Sequence, residues 1–305
     1  MKHLIEGIRK FQKEFYCTHL DLYKELAKGQ NPRVLFITCS DSRIDPSLLT
    51  QANPGEIFEI QNAGNIIPPY EATNGGEGAT IEYAIDALGI RQIVICGHTH
   101  CGAMKGLLNM EKIEDELPLV HAWLKHAEAT RRVIQEHYGH LEGEDKLKAA
   151  VAENVLTQIE NLRTYPTIHS KLFKGELKIY AWVYDIDTGE VMAYDPEDHS
   201  YVPPQEMLPP EEQDPSLAAT FAGCELPTAD HSRQLKSRQG HSGASNPRDP
   251  APGSVSTKTK EFMTAPLEAA IAQDRPVHAS QRIPSMYMSP EQSDRIYRGS
   301  NGSKR

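Results

Sequence analysis

The chain lacks several features that would point to particular classes of protein. It has no apolar run long enough to cross a membrane, and residues 1–10 mix charge with apolar side chains, unlike a secretory signal peptide. Cysteine is scarce and odd in number, at five in 305 residues, which argues against a disulfide framework and favours a reducing compartment. Basic residues number 32 against 42 acidic ones, and the net charge of −10 argues against a nucleic-acid partner. We therefore expect a protein that binds neither membrane nor nucleic acid.

Residues 203–305 have no tryptophan, few apolar residues and thirteen of the chain's 21 prolines. Such a segment buries too little apolar area to offset the entropy lost on ordering. We expect a mostly disordered tail with two helix-forming stretches. One is amphipathic, over residues 260–275. The other, over residues 289–299, begins with Ser289 as a cap, Pro290 at the first helical position and Gln292 as a capping-box partner.

Residues 1–202 alternate apolar strands with amphipathic helices. This alternation predicts an α/β fold, with a mainly parallel four-stranded sheet and helices on both faces. An Asp-Thr-Gly turn at residues 187–189 predicts a hairpin that adds an antiparallel edge strand. Two apolar stripes within residues 3–27 predict an N-terminal helical arm. The predicted strands are 33–38, 56–60, 92–97, 177–184 and 191–194, and the predicted helices that follow the arm are 77–88, 102–109, 118–138 and 146–164.

Two short polar clusters directly follow two of these strands. Residues 39–43 read Cys-Ser-Asp-Ser-Arg and residues 98–102 read His-Thr-His-Cys-Gly. Because ligand sites of open α/β sheets lie outside the carboxyl ends of the strands, we expect Cys39, His98 and Cys101 to meet there. Thiolate and imidazole suit zinc, and three protein ligands with an open fourth position are typical of a catalytic site. We expect one Zn²⁺ per chain.

Asp41 and Arg43 predict the accompanying acid–base chemistry. Two thiolates cancel the charge of Zn²⁺, so bound water is acidified less than at a three-histidine site, where its pKa reaches about 7. A proton acceptor therefore helps, and Asp41 is the candidate, held by the planar fork of Arg43. Residues 39–43 alone fit equally well a buried thiol above a salt bridge at a helix start. The second cluster argues against that interpretation.

The other histidines near these clusters are weaker candidates. His100 lies between two candidate ligands, and we expect it to be a loop or exposed residue rather than a further ligand. A charge-rich helix carries or adjoins four more, which predict a solvated face rather than a second metal site: His121, His126, His137 and His140.

The two clusters, in this order and each after a strand, resemble the β-carbonic anhydrases. Asn-Ala-Gly-Asn at 62–65, Gly-Ala-Thr-Ile-Glu-Tyr-Ala at 78–84 and Cys-Gly-Ala-Met at 101–104 match as well. The resemblance covers roughly residues 1–202. Residues 29–33 and 155–162 are most similar to the cyanobacterial carboxysomal members. The resemblance implies a catalytic domain over 1–202 that interconverts CO₂ and bicarbonate at zinc. It also implies a homodimer that exchanges helical arms, residues 1–30, and assembles into a higher oligomer.

The resemblance also implies a substrate pocket. In plant-type members a Gln, a Phe and a Tyr line the CO₂ pocket across the dimer interface, and they map onto Gln30, Phe58 and Tyr83. Ala63 matches a small apolar wall position, and Gly102 would offer its backbone beside the zinc. Such a wall suits a substrate without charge.

A second site found in some members is expected to be absent. Those members build an inhibitory bicarbonate site from a Trp three residues before the first ligand and an Arg before the Asn of the second strand. This chain has Phe36 and Gln61 at those positions.

The resemblance implies a carboxysomal location, where the enzyme would supply CO₂ to Rubisco. The tail would dock on a carboxysome scaffold protein, with residues 289–299 or 260–275 as the candidate segments. Two alternatives stay open. One is a carbonyl sulfide or carbon disulfide hydrolase with the same zinc ligands. The other is a zinc-stabilised scaffold or recruitment protein, against which the Asp41–Arg43 pair argues, since a structural zinc needs no proton acceptor.

Overall fold

The core of the protein is a six-stranded mixed sheet. The computed structural model describes residues 1–72 and 75–208, and the strands are β1 Val34–Cys39, β2 Ile57–Asn62, β3 Gln92–His98, β4 Lys178–Tyr184, β5 Val191–Asp195 and β6 Ser200–Val202. Their order across the sheet is β2-β1-β3-β4-β5-β6. The first four strands in this order are parallel, and β5 and β6 are antiparallel to their neighbours. The predicted fold class is confirmed.

The sheet extends one strand beyond the prediction. β6 pairs with β5, with Tyr201 opposite Tyr194, so β5 is not the edge strand. The two tyrosine rings also contact each other, with centroids 5.4 Å apart. Three residues are too few to show a strand period in sequence, so this strand depends on its partner for definition.

Helices flank the strands along the described chain. Three short helices were not predicted: α3 over Pro46–Thr50, α6 over Met110–Ile113 and α10 over Pro166–Phe173. Pro166 follows the end of the long preceding helix and occupies the first turn of α10, where its missing N–H costs nothing. The helices are α1 Lys2–Lys10, α2 Leu20–Leu26, α3 Pro46–Thr50, α4 Gly76–Glu82, α5 Gly102–Leu107, α6 Met110–Ile113, α7 Pro118–Leu124, α8 Glu128–His137, α9 Gly143–Arg163 and α10 Pro166–Phe173.

The long helix α9 packs against β3 and β4. Gly97 permits the contact, because a Cβ at this position would lie 2.8 Å from Val155 Cγ2 and 3.0 Å from Val151 Cγ1. The helix therefore approaches the strand immediately before His98 more closely than any side chain there would allow. The apolar side predicted for this helix is buried: Leu147, Val151, Val155, Ile159 and Leu162.

The N-terminal arm is helical, with a π-turn over Phe11–Phe15 and a 3₁₀ turn over Tyr16–His19 between α1 and α2. Neither α1 nor α2 has a buried residue. The arm nevertheless carries many large apolar side chains, and these are exposed: Leu4, Ile5, Ile8, Phe11, Phe15, Tyr16 and Leu20.

Within residues 1–72 and 75–208, no helix is long and apolar enough to span a bilayer. The predicted tail is described only to residue 208, and its last element is a 3₁₀ turn over Pro204–Met207. The predicted disorder of the tail and its stretches at 260–275 and 289–299 lie outside the described residues.

Candidate metal centre and active site

Three buried donor side chains meet at the carboxyl ends of β1 and β3. Cys39 is the last residue of β1, His98 is the last residue of the neighbouring β3, and Cys101 immediately precedes α5. Their exposed fractions are 5%, 0% and 1%. One ligand atom from each lies within 4.8 Å of the other two. The structure therefore brings together the three residues that the sequence singled out as ligands.

The imidazole of His98 is oriented for metal binding. Its Nδ1 donates a hydrogen bond to the carbonyl of Thr99 at 2.9 Å, which leaves Nε2 unprotonated in the neutral ring. Nε2 is buried and has no hydrogen-bond partner. Leaving a buried polar atom unpaired costs about 1–3 kcal/mol, and a bound cation would remove that cost. Two sulfurs and one nitrogen form a donor set that suits zinc.

The two thiols of the cluster differ in acidity. The pKa of Cys39 is lowered to about 4, chiefly because Cys101 donates a hydrogen bond to it, with smaller contributions from His98 and from the Gly64 N–H, which lies 3.3 Å from Cys39 Sγ. The pKa of Cys101 is raised, first by its interaction with Cys39 and then by burial. By contrast, burial alone raises the pKa of Cys96 to about 12, which makes it an inert core residue, as its apolar strand suggests.

Asp41 and Arg43 form a bidentate ion pair beside the cluster. Arg43 Nε and Nη2 donate to Asp41 Oδ1 and Oδ2 at 2.9 and 2.7 Å. This pairing, assisted by the Arg43 backbone N–H, lowers the pKa of Asp41 to about 2. Asp41 Oδ2 lies 3.9 Å from His98 Nε2. The turn after β1 thus presents an ionised carboxylate to the nitrogen that faces the metal position.

Sequence reasoning missed a row of amides on α9 that holds the loop after β2. Asn154 Nδ2 donates to the Gly64 carbonyl at 3.0 Å, and the Ile67 N–H donates to Gln158 Oε1 at 2.7 Å. Asn161 Nδ2 donates to the Ile67 carbonyl at 2.9 Å. The Gly64 N–H also contacts Cys39 Sγ, a candidate metal ligand. The amide row therefore holds this loop in place beside Cys39. The detectable signal was a set of polar residues spaced four and three apart inside an apolar helix.

Two of the residues expected in the substrate pocket lie together, away from their own chain's cluster. The rings of Phe58 and Tyr83 have centroids 6.1 Å apart. Phe58 pairs in register with Leu35, four residues before Cys39, which corresponds to about 13 Å along a strand. Gln30 follows α2 and is exposed. Phe58, with the ring of Tyr83 beside it, therefore lies away from the metal position of the chain that carries it.

Ala63 and Gly102 lie next to the cluster in sequence and structure. Ala63 precedes Gly64, and its carbonyl accepts a hydrogen bond from Trp123 Nε1 at 2.8 Å. Gly102 follows Cys101 and begins α5, and a Cβ there would meet no atom within 4 Å. Open space therefore lies beside Gly102, the residue that follows the second thiol.

The other histidines are outside the cluster. His137 and His140 are exposed, as predicted, but His121 and His126 are half-buried, and the rings of His126 and Trp123 have centroids 5.6 Å apart. The solvated-face prediction was therefore wrong for His121 and His126. A 3₁₀ turn over Lys125–Ala127 also interrupts the helix that was expected to be continuous.

Comparison with known proteins matches this chain to carbonic anhydrases. The carbonic anhydrase family model matches residues 34–191. A carbonic anhydrase of Synechocystis sp. is 57% identical over 208 residues, which are 68% of this chain and 76% of that protein. The solved β-carbonic anhydrase CcaA is 58% identical, with a TM-score of 0.66 over 67% of this chain and 99% of that one. One of two tetrameric β-carbonic anhydrases from Sordaria macrospora is 27% identical, with a TM-score of 0.52 over 63% and 92% of the respective chains.

The fold and the Cys-His-Cys cluster define an α/β protein with a potential metal centre at the carboxyl end of its parallel strands. The chain belongs to the carbonic anhydrases, and within them to the β class.

Proposed function

We propose that this β-carbonic anhydrase uses one Zn²⁺ per chain to interconvert CO₂ and bicarbonate. The observation that carries the proposal is an ionised carboxylate, Asp41, 3.9 Å from the unpartnered Nε2 of His98 within a Cys-His-Cys cluster. When bound, zinc lowers the pKa of a water molecule and so makes hydroxide available near neutral pH.

The residues of the chain divide the remaining work. Cys39, His98 and Cys101 would hold the ion, and Asp41 would accept the proton of the water. Because Arg43 keeps the pKa of Asp41 at about 2, the carboxylate is ionised at neutral pH and holds a proton only briefly. Its side chain is 18% exposed, so the proton can pass to solvent.

We propose that the CO₂ pocket is completed by a second copy of the chain. Ala63 and Gly102 would form the near wall, and Gln30, Phe58 and Tyr83 of the other protomer the far wall. Two observations support this arrangement. Phe58 lies about 13 Å from Cys39 along its own sheet. The apolar residues of the arm have no cover in their own chain within the described residues.

Stopped-flow CO₂ hydration by purified protein, with zinc quantified in the same sample, tests the activity. We expect rapid hydration at one zinc per chain. Slow hydration despite full zinc would contradict the proposal. Assays with carbonyl sulfide and carbon disulfide belong beside it, since turnover of either gas without CO₂ hydration would favour the alternative hydrolase.

The role of the arm is testable through the mass of the particle in solution. Ile8→Asp and Phe15→Asp place charge on exposed apolar arm positions, 57% and 39% exposed, and should lower the mass measured by sedimentation. Leu119→Asp is a control on α7 at a position 85% exposed. An unchanged mass in the arm variants would show that the arm does not join protomers.

We propose further that the protein resides in the carboxysome and is recruited by its tail. The support is the resemblance of residues 289–299 to the tail segment of carboxysomal members and the capped-helix pattern within it. Tail segments with such a pattern commonly bind by folding onto a partner. Ile296 and Tyr297 would be the apolar anchors.

A double variant tests this recruitment. Ile296→Asp with Tyr297→Ala should abolish co-purification with the scaffold protein and leave CO₂ hydration in vitro unchanged. A chain ending at Val202 should behave in the same way, whereas Leu235→Asp, elsewhere in the tail, should not. Full recruitment of the double variant would assign docking to residues 260–275 or to the catalytic domain.

A further inference from the structure

One nitrogen of Arg43 makes two contacts with different parts of the site. Arg43 Nη2 donates to Asp41 Oδ2 at 2.7 Å and to the carbonyl of His100 at 3.3 Å. Asp41 Oδ2 is also the oxygen that lies 3.9 Å from His98 Nε2. The position of the His100 carbonyl therefore helps to fix the plane of the guanidinium, and the guanidinium fixes the carboxylate.

The backbone at His100 is unusual and is anchored by its own ring. Its φ is +57°, a left-handed conformation uncommon for a residue with a side chain. His100 Nε2 lies 2.6 Å from Asp187 Oδ2, in the turn between β4 and β5, and Nδ1 lies 3.1 Å from Glu144 Oε2, in the first turn of α9. The β4–β5 turn and α9, which are distant in sequence, thus each contact one nitrogen of the His100 ring.

A second contact ties the same two loops together. The Thr99 N–H donates to the Tyr184 carbonyl, and the Ile186 N–H donates to Thr99 Oγ1, both at 2.9 Å. The loop between His98 and Cys101 is therefore bound to the β4–β5 turn through backbone as well as side-chain groups. Thr99 thus holds the loop independently of the His100 ring, so a change at the ring should act first on the direction of the His100 carbonyl.

We infer that His100 is a positioning residue: clamped between Asp187 and Glu144, it aims its carbonyl at Arg43 and so orients Asp41. This inference rests on the proposed function for Asp41. The two carboxylates are each 64% exposed, and polar contacts made by exposed groups contribute little to stability, so the clamp should affect catalysis far more than folding.

His100→Asn is the decisive variant. Asparagine tolerates the left-handed backbone but is too short to replace the ring between the two carboxylates. We expect kcat/KM for CO₂ hydration to fall about tenfold, with zinc still stoichiometric. Asp187→Ala should reproduce the fall and Asp187→Asn should largely restore it, since an amide oxygen still accepts from Nε2. Combining His100→Asn with Asp187→Ala should add little, because both break one contact.

The ion pair of Arg91 and Glu176 is a matched control. It has a similar distance, 3.2 Å, and similar exposure, 51% and 46%, but lies by the amino ends of β3 and β4. Its alanine variants should leave kcat/KM unchanged within about twofold. A wild-type kcat/KM in His100→Asn would overturn the inference, and so would loss of zinc, which would make the ring a support for the ligand loop.

A crystal structure of His100→Asn gives a readout independent of turnover. The guanidinium of Arg43 should leave the position it holds in the wild-type protein, and an unmoved guanidinium would overturn the inference. If the wild-type protein hydrates no CO₂, the proposed function fails. The position of Arg43 in the variant still shows whether His100 orients it.

Discussion

Asp41 accepts three hydrogen bonds from Arg43, two residues further along the chain. Oδ1 accepts hydrogen bonds from Nε at 2.9 Å and from the backbone N–H at 3.0 Å, and Oδ2 accepts one from Nη2 at 2.7 Å. The carboxylate is thus oriented by the residue that also keeps it ionised. Such a pair defines where a proton can be accepted beside the cluster.

Asp41→Asn should retain zinc and lower the rate of CO₂ hydration near neutral pH by about 10²–10⁴-fold, the usual contribution of a general base. The rate should partly recover at higher pH, where hydroxide forms without an acceptor. Asp45→Asn, four residues on, is the control, because asparagine caps α3 as well as the aspartate that now accepts from the Leu48 N–H. A wild-type rate for Asp41→Asn in stopped-flow assays would show that another group takes the proton.

Arg43→Ala should also slow hydration, for a different reason. Without its partner, Asp41 is free to turn toward the metal position and occupy the open coordination site. A crystal structure of the zinc-loaded variant should then show a carboxylate oxygen of Asp41 bound to the metal in place of water. An unchanged coordination sphere together with an unchanged rate would remove Arg43 from the machinery.

Cys39→Ser, His98→Ala and Cys101→Ser should each lose zinc and activity together, since two remaining donors do not hold the ion against solvent. Cys96→Ala is the matched control, because Cys96 is an equally buried thiol two residues before His98. Metal analysis after dialysis decides the matter. Any of the three variants that keeps one zinc per chain removes its residue from the ligand set.

Asn154→Leu should weaken zinc binding without touching a ligand. The Gly64 carbonyl would lose its donor and Gln158 would lose the acceptor that it now contacts at 2.9 Å, at a cost of about 1–3 kcal/mol in the free energy of unfolding. Competition with a chelator measures the affinity. Thr157→Ala, on the same helix, reports any general effect on α9, and equal affinities in the two variants would contradict the role given to the amide row.

Glu153 makes the stability of the protein depend on pH. Burial raises its pKa above the usual 4.5, despite a 2.8 Å hydrogen bond from Tyr138 Oη. As pH rises from 4.5 through the raised value, the unfolded chain loses this proton first, so the free energy of unfolding falls. Glu153→Gln should therefore stabilise the protein at pH 7–8 in urea titrations and change little near pH 4.5. Glu136→Gln, exposed on α8, should have no such pH-dependent effect.

The sequence was sufficient for the parts of the site that follow directly from strand order. An apolar run followed by Cys39 and another followed by His98 predict neighbouring ligands, because parallel strands present their carboxyl ends at one edge. The same reasoning placed Asp41 and Arg43. These predictions needed only the period of the strands and the positions at which they end.

The supports of the site could not be predicted in the same way, because they depend on contacts between distant segments. Asn154 meets Gly64 across 90 residues, and His100 meets Asp187 across 87. Nothing local in either sequence marks its partner. β6 was not predicted for the same reason, since its three residues form a strand only by pairing with β5.

Because Gly97 has no side chain, α9 packs directly against the backbone of β3. No methyl group fits between them at this point, so the helix cannot be spaced away from the sheet without opening a void against Val151 and Val155. A shift of the helix that carries the amide row would therefore also disturb the packing beside the strand that ends in His98. A substitution inside the helix that changes its packing against the strand should therefore alter the distances between the ligand atoms, while the ligands themselves stay the same.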